Sequence, residues 1–483
     1  MLVSAGCAIG LGNVWKFPYI CAANGGAAFI VIYLIFLALL GLPLLIGEFA
    51  IGRGSGQSII KAYNVLESED SKFHKNRYFG LIGNYLLMAF YSMVCGWMFD
   101  YTAKALGGSL SDIDTQAVAN VFTGMLANTG EMTVWTIIAI IVGFGVCAFG
   151  LNKGVEKVTN YIMMLLFIIM IILAINSCTL DRAAEGLSYY LVPNFDNIIK
   201  DNIGDTLNGI GNILFTAMSH AFFTLSIGVG SMMIFGSYLR KERKLTGEAL
   251  SIVLLDTAIA LIAGLIIIPA CVNYNVPLNA GPPLLFISLP NVFNEMPGGQ
   301  IWMSMFFVFM TFAALSTMIA VFENIIAMWM DSTGMSRKKV VAFNIPLMIL
   351  LSMPAVLGFN VLADIHPLGG ESTLMDLEDF IVSNNILPLG ALTMMLFCTR
   401  RYGWGWSNFL AEVNTGTGKP LSHKWKGYMT WGIPAVIIFV YLKGYYDFFA
   451  GFSLTVRIIT MLIAVAILAF IFDEKKRKPH RKH

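Results

Sequence analysis

Twelve stretches of predominantly apolar residues, each long enough to cross a bilayer, constrain this chain more than any other feature of its sequence. Their approximate limits are 2–24, 27–50, 79–106, 132–150, 155–177, 206–238, 246–272, 301–331, 338–358, 377–398, 427–446 and 451–472. About 20 such residues span the hydrocarbon core as a helix, so the expected fold is an all-α polytopic membrane protein with twelve transmembrane helices. With 57% hydrophobic and 12% charged residues and a mean hydropathy of +0.73, the composition agrees.

Counting Lys and Arg by side gives the orientation. The loops at 52–77, 151–160, 239–245, 332–340 and 399–426, with the tail from 473, hold 25 of the 31, and the opposite side holds 4. Both termini are therefore expected in the cytoplasm of a plasma (inner) membrane protein, with a basic tail at 473–483 facing anionic lipid. A net charge of +2, with the basic residues spread over loops, gives no indication of a nucleic-acid partner, and none is expected. The seven cysteines form no CxxC pair and the six histidines no metal-ligand spacing. The first apolar segment reads as a retained span rather than a cleavable signal.

Two spans carry internal breaks. Gly10-Leu11-Gly12-Asn13 interrupts the first, and Phe223-Thr224-Leu225-Ser226-Ile227-Gly228-Val229-Gly230 the sixth. Glycine disfavours helix interiors, and non-helical backbone within a membrane is tolerated only where protein buries it or water lines it. Glycines for close helix packing would explain either break alone. Both together, in the first and sixth spans, define candidate five-helix repeats over 1–177 and 206–398. An odd span count places such repeats in opposite orientations, and matched interruptions point to a site at the midplane. Residues 427–472 are then accessory helices 11 and 12 of one domain covering 1–472. The apolar, proline-rich stretch 281–300 is expected as a short helix over the entrance.

The segments GCAIGLGNVWKFPYICAANGGAAF, FFTLSIGVG, FISLPNVFNEMPGG and AALST (313–317) resemble the neurotransmitter:sodium symporters, the leucine-transporter-like family. The resemblance runs through span 10 and implies a 5+5 inverted repeat with helices 1 and 6 broken. It implies two sodium sites. One would use the carbonyls of Gly6, Ile9 and Ala313 and the hydroxyls of Ser316 and Thr317, although a Ser-Thr pair taken alone reads as back-bonding to its own helix. The other would use the Ala8 carbonyl, Asn13, Thr224 and Asp256, where relatives more often carry asparagine. A carboxylate in mid-span is functional by default. A fixed negative charge there replaces the chloride that animal members use, so no chloride is expected.

The same resemblance places a substrate carboxylate on the amides of Leu11 and Gly12 and the hydroxyl of Tyr91. The amine would meet Ala8, Phe223, Thr224 and Ser226. Gly10 stands where monoamine-transporting relatives carry aspartate, so the substrate must bring its own carboxylate, as an α-amino acid does. Leu87, Val94, Phe223, Val229, Met318 and Val321 would form an uncharged side-chain pocket, with ordinary helix packing as the competing account of each. Lys16 and Asp379 resemble the outer gate pair, Lys16 alternatively snorkelling unpaired, with Phe223 as the lid beneath. Tyr238 and Asp331 resemble half of the inner gate. The arginine that partners Asp331 in relatives lies before the first span, and Met1 stands only five residues before Gly6, so either a fragment of a longer chain or a leaky inner gate is expected. Met164 stands where bacterial relatives have a proline ten residues after a glycine, here Gly154, which weakens the case for unwinding there.

The expected function is sodium-coupled uptake of a neutral, apolar or aromatic amino acid by a monomer or weak homodimer. A sodium-dependent amino-acid sensor that does not transport, or an inactive N-terminally truncated transporter, is the alternative. No nucleophile–base–orienter set has recognisable spacing, so the chain is not read as an enzyme.

Overall fold

The computed structural model describes residues 8–67, 71–195, 203–275 and 283–472, all helical or loop apart from one isolated bridge between Arg243 and Thr417. Nine helices among them are long and apolar enough to cross a membrane. They are α2 (Ala27–Ser55), α3 (Phe73–Leu106), α4 (Thr129–Ala148), α5 (Gly154–Cys178), α8 (Leu245–Asn273), α9 (Gly299–Thr333), α10 (Arg337–Leu357), α11 (Leu374–Thr399) and α13 (Leu454–Phe472). The first broken span continues as α1 (Phe17–Ala23), the sixth is split into α6 (Ile203–Thr224) and α7 (Ser231–Tyr238), and α12 (Ile433–Phe448) follows a wide turn.

Proline explains most of the irregular turns. Wide π turns at Gly12–Lys16, Leu37–Gly41, Leu284–Ser288, Val382–Ile386 and Tyr428–Gly432 each end two residues before a proline, at Pro18, Pro43, Pro290, Pro388 and Pro434. Proline lacks an N–H and its ring crowds the carbonyl four residues back, so the preceding turn widens. The carbonyl that Pro43 leaves free, on Leu39, accepts the Tyr428 hydroxyl at 2.9 Å, which ties α2 to the start of α12. A further π turn at Leu151–Glu156 contains Gly154 with no proline, so the start of span 5 is irregular although Met164 stands in the proline's place. The stretch 281–300 does form a short apolar helix, Leu284–Asn294; its Phe286 ring meets Tyr101 of α3 and Phe122.

The core sits around α3 and α9. They pack along each other, and 78% and 83% of their apolar windows are buried, against 11% for α13 on the periphery. Half-helix α7 lies on α2, and the turn leading into α1 packs on α8. Both breaks are thereby enclosed by α2, α3, α8 and α9.

Candidate ion and substrate site at the two helix breaks

At the second break the chain leaves α6 at Thr224 and re-enters helix at Ser231. Ser226, Gly228 and Gly230 take positive φ values of 50°, 106° and 77°. A Cβ at Gly228 would lie 2.1 Å from the Leu387 carbonyl oxygen, so only glycine fits. The first amides of a helix have no intrahelical acceptor. Here buried Glu48 of α2 supplies one, accepting from the N–H groups of Gly228 (2.8 Å), Gly230 (3.2 Å) and Met232 (3.2 Å). Asn84 of α3 donates to the Val229 carbonyl at 2.9 Å and accepts from Ser231 and from Asn324 of α9.

At the first break, bends at Ile9 and Gly10 free the Ile9 carbonyl. The Ser316 and Thr317 hydroxyls of α9 both lie 3.1 Å from that oxygen, and Ser316 Oγ is 2.9 Å from the Ala313 carbonyl. One hydroxyl proton serves one acceptor, so this oxygen cluster has more lone pairs than protons, a donor set suited to a hard cation. Ile9, Ala313, Ser316 and Thr317 are thus brought together. Gly6, the fifth residue of that set, lies outside the described residues.

Asn13, Thr224 and Asp256 converge between the breaks. Asn13 Nδ2 donates to Asp256 Oδ1 (2.7 Å) and lies 3.0 Å from Thr224 Oγ1, while Thr224 Oγ1 donates to Asp256 Oδ2 (3.0 Å). Asn13 Oδ1 accepts the Gly10 N–H at 3.2 Å. Asp256 is fully buried, and among the described residues no cationic side chain lies within ion-pair distance of it. Burying a carboxylate without a counter-charge is strongly unfavourable, and the corner presents carboxylate, hydroxyl and amide oxygens of the kind a hard cation takes.

A central cavity of about 30 Å³ adjoins these groups. Ala8, Leu11, Gly12, Leu87, Tyr91, Phe223, Thr224 and Ser226 line it, together with Gly10, Thr317 and Leu387. Val94, Val229, Met318 and Val321 do not line it. Met318 instead ends against Gly143 of α4, where a Cβ would be 2.9 Å from its Cε, and Val229 packs toward Gly83 of α3. Val94 and Val321 are buried in helix packing. A Cβ at Gly10 would sit 2.4 Å from Thr317 Oγ1, so any side chain there would displace the Thr317 hydroxyl. The cavity is far below the roughly 300–1,000 Å³ of a typical small-molecule pocket, so an amino acid enters only if the walls move.

Phe223 forms a partition. It also lines a second cavity of about 200 Å³ with Lys16, His220 and Asp379. Lys16 Nζ lies 4.0 Å from the centre of the Phe223 ring, and Asp379 accepts from the Ser383 hydroxyl at 2.6 Å. The two charges face one cavity but make no ion pair. On the far side of the breaks, Tyr238 and Asp331 do not bond to each other. Tyr238 donates to Glu323 Oε1 at 3.3 Å, and Asp331 accepts the Ser58 N–H at 2.8 Å. Glu323 is held by Arg337 in a two-pronged pair at 2.5 and 2.8 Å. Glu48, Asn84, Glu323 and Arg337 are absent from the sequence reading. The signal was there: the acidic residues interrupt LLIGEFAIG and IAVFENIIA as Asp256 interrupts span 7, and all three call for the same suspicion.

Comparison with known proteins places this geometry. The pattern of the "Sodium:neurotransmitter symporter family" matches residues 1–123 and 115–455. A Bacillus subtilis protein, "Uncharacterized sodium-dependent transporter YhdH", is 36% identical over 445 residues, covering 92% of this chain and 95% of its own length. A Haemophilus influenzae "Uncharacterized sodium-dependent transporter" is 30% identical over 455 residues, covering 92% and 96%. The crystal structure of MhsT in complex with L-phenylalanine superposes with a TM-score of 0.81 at 33% identity, over 92% of this chain and 97% of that one. With the family pattern spanning nearly the whole chain and the fold shared, the chain belongs to the sodium:neurotransmitter symporter family and is a sodium-dependent membrane transporter, not an enzyme.

Proposed function

We propose that this protein imports a neutral, apolar or aromatic α-amino acid by sodium-coupled alternating access, without chloride. The observation that carries the reading is the meeting of two interrupted helices around an uncompensated carboxylate, Asp256, beside a cavity lined by Leu11, Gly12 and Tyr91. One sodium ion is bound by Ala8, Asn13, Thr224 and Asp256, and the other by Gly6, Ile9, Ala313, Ser316 and Thr317. The amino acid's carboxylate meets the Leu11 and Gly12 amides and the Tyr91 hydroxyl, and its ammonium meets carbonyls at Ala8, Phe223 and Thr224. MhsT was crystallised with L-phenylalanine, which supports an amino-acid substrate here. Twelve spans in a 5+5 inverted repeat and cytoplasmic termini complete the proposal, on the matched breaks and the side bias of Lys and Arg.

Sodium drives the cycle only through its different affinity for the two end states. It neutralises Asp256 and joins the breaks, which prepares the site for the amino acid. Closing requires Lys16 and Asp379 to approach over Phe223. Releasing to the other side requires the Tyr238–Glu323–Arg337 and Ser58–Asp331 contacts to open.

Uptake into proteoliposomes, assayed with a panel of amino acids under a sodium gradient, a potassium gradient, and sodium with chloride replaced by gluconate, tests the proposal. Saturable uptake of an apolar or aromatic amino acid in the sodium arms alone, equal in both anions, is expected. Sodium-dependent binding with no uptake would replace transport by sensing, and a chloride requirement would remove the role given to Asp256.

A further inference from the structure

A third cavity, of about 170 Å³, lies away from the breaks between α3, α9 and the short helix Ile59–Leu66. Ile60, Leu81, Met328 and Trp329 give it an apolar lining, while Arg77 and Ser332 stand among its walls. Arg77 and Leu81 are one helical turn apart and so share a face of α3. The guanidinium stacks on Tyr78 at 4.9 Å and donates to its hydroxyl at 3.0 Å, and among the described residues it meets no carboxylate. On the same stretch of α3, Tyr78 and Ile82 are 53% and 52% exposed, the pattern of a wall turned to lipid.

A guanidinium that meets no carboxylate among the described residues, beside an apolar slot, is complementary to an amphiphile with an anionic head. We propose that this cavity binds an anionic phospholipid of the cytoplasmic leaflet, its phosphate on Arg77 and the first part of an acyl chain between Leu81 and Met328. The leaflet rests on the orientation proposed above; the site itself does not depend on the transport reading. Free phosphate would not use the apolar lining, and a slot of about 170 Å³ is too small for a peptide helix. Guanidinium recognises phosphate by two parallel hydrogen bonds, and the amides at the start of α3 favour the same charge. The site also adjoins the moving parts. Ile59 packs under Gly230 of the second break, and the Ser58 N–H holds Asp331. A lipid against Ile60 and Ser332 braces that connection and so favours the arrangement closed toward the cytoplasm.

Trp329 in the wall supplies the probe. Purified protein is placed in phosphatidylcholine nanodiscs carrying equal fractions of dibrominated phosphatidylglycerol or dibrominated phosphatidylcholine, and tryptophan quenching is compared. Phosphatidylglycerol should quench more, with the excess lost in Trp329→Phe. Arg77→Gln should lower the preference roughly fivefold, the effect of one basic side chain near an anionic surface. Ser332→Phe, at an exposed rim position, should exclude the chain while leaving the charge intact, so the proposal remains testable if Arg77→Gln folds poorly. Equal quenching by the two lipids, an unchanged preference in both variants, or relief of the excess by inorganic phosphate at constant ionic strength would each overturn it.

Discussion

At the first break the backbone stays right-handed: Leu11 has φ −58° and ψ −25°, and helix resumes through a π turn at Gly12–Lys16. At the second break three of five consecutive residues, Ser226, Gly228 and Gly230, are left-handed. The first is held by hydroxyls and an amide, Ser316, Thr317 and Asn13, each reaching it from one side. The second is held by a carboxylate, Glu48, that takes three amides at once, with Asn84 clamping the carbonyl between them. Small torsional changes restore the first to helix, whereas the second is fixed by backbone conformations that L-residues avoid and by a buried charge. The first break is therefore the adjustable side of the site and the second its rigid reference.

Substitutions should separate the two. Glu48→Ala leaves three buried N–H groups without acceptors, at about 1–3 kcal/mol each. Loss of at least about 3 kcal/mol is expected, read as a large fall in thermal midpoint in detergent. Survival of the midpoint would mean the second break is not anchored by that carboxylate. Gly228→Ala adds a Cβ against the Leu387 carbonyl and a disfavoured φ, with about 2–4 kcal/mol expected. Its counterpart Gly12→Ala meets only the edge of the Phe223 ring at 3.0 Å and should cost about 1 kcal/mol or less.

Asp256→Asn joins both breaks to neutral donors alone. It should weaken sodium activation of binding roughly tenfold to a hundredfold, about 1.4–2.8 kcal/mol, and added chloride should recover part of that loss. A variant with unchanged sodium dependence would separate Asp256 from the ion. Ser316→Ala removes one neutral hydroxyl from the first break, with about 1 kcal/mol expected and a measurable shift in sodium affinity but not in thermal midpoint. The smallest effect is expected from Lys16→Gln, which loses a cation–π contact of about 0.5–1 kcal/mol and should show in substrate off-rate.

The spans were legible because hydropathy and charge bias act residue by residue; the widened turns were less so, since five prolines each follow one at two residues while Pro269, Pro346 and Pro354 sit inside regular helices. Asn13, Thr224 and Asp256 were legible as a group through a resemblance to relatives, and the structure gathers them within hydrogen-bond distance across 243 residues of sequence. The side-chain pocket was less so: Met318 and Val229 have the right residue type, but helix rotation turns them into packing against Gly143 and Gly83.

What the sequence alone determined is an all-helical membrane chain, its loop-side asymmetry, and the positions of two interrupted spans, since these follow from transfer of each segment into lipid and from glycine and proline geometry. What only the tertiary structure decided is partnership: Glu48 with the second break, Tyr238 with Glu323, Asp331 with the Ser58 N–H, and Lys16 over Phe223 rather than beside Asp379. Hydrogen bonds and ion pairs depend on distances of a few ångströms between segments far apart in sequence, and those distances are set by how the helices rotate and pack.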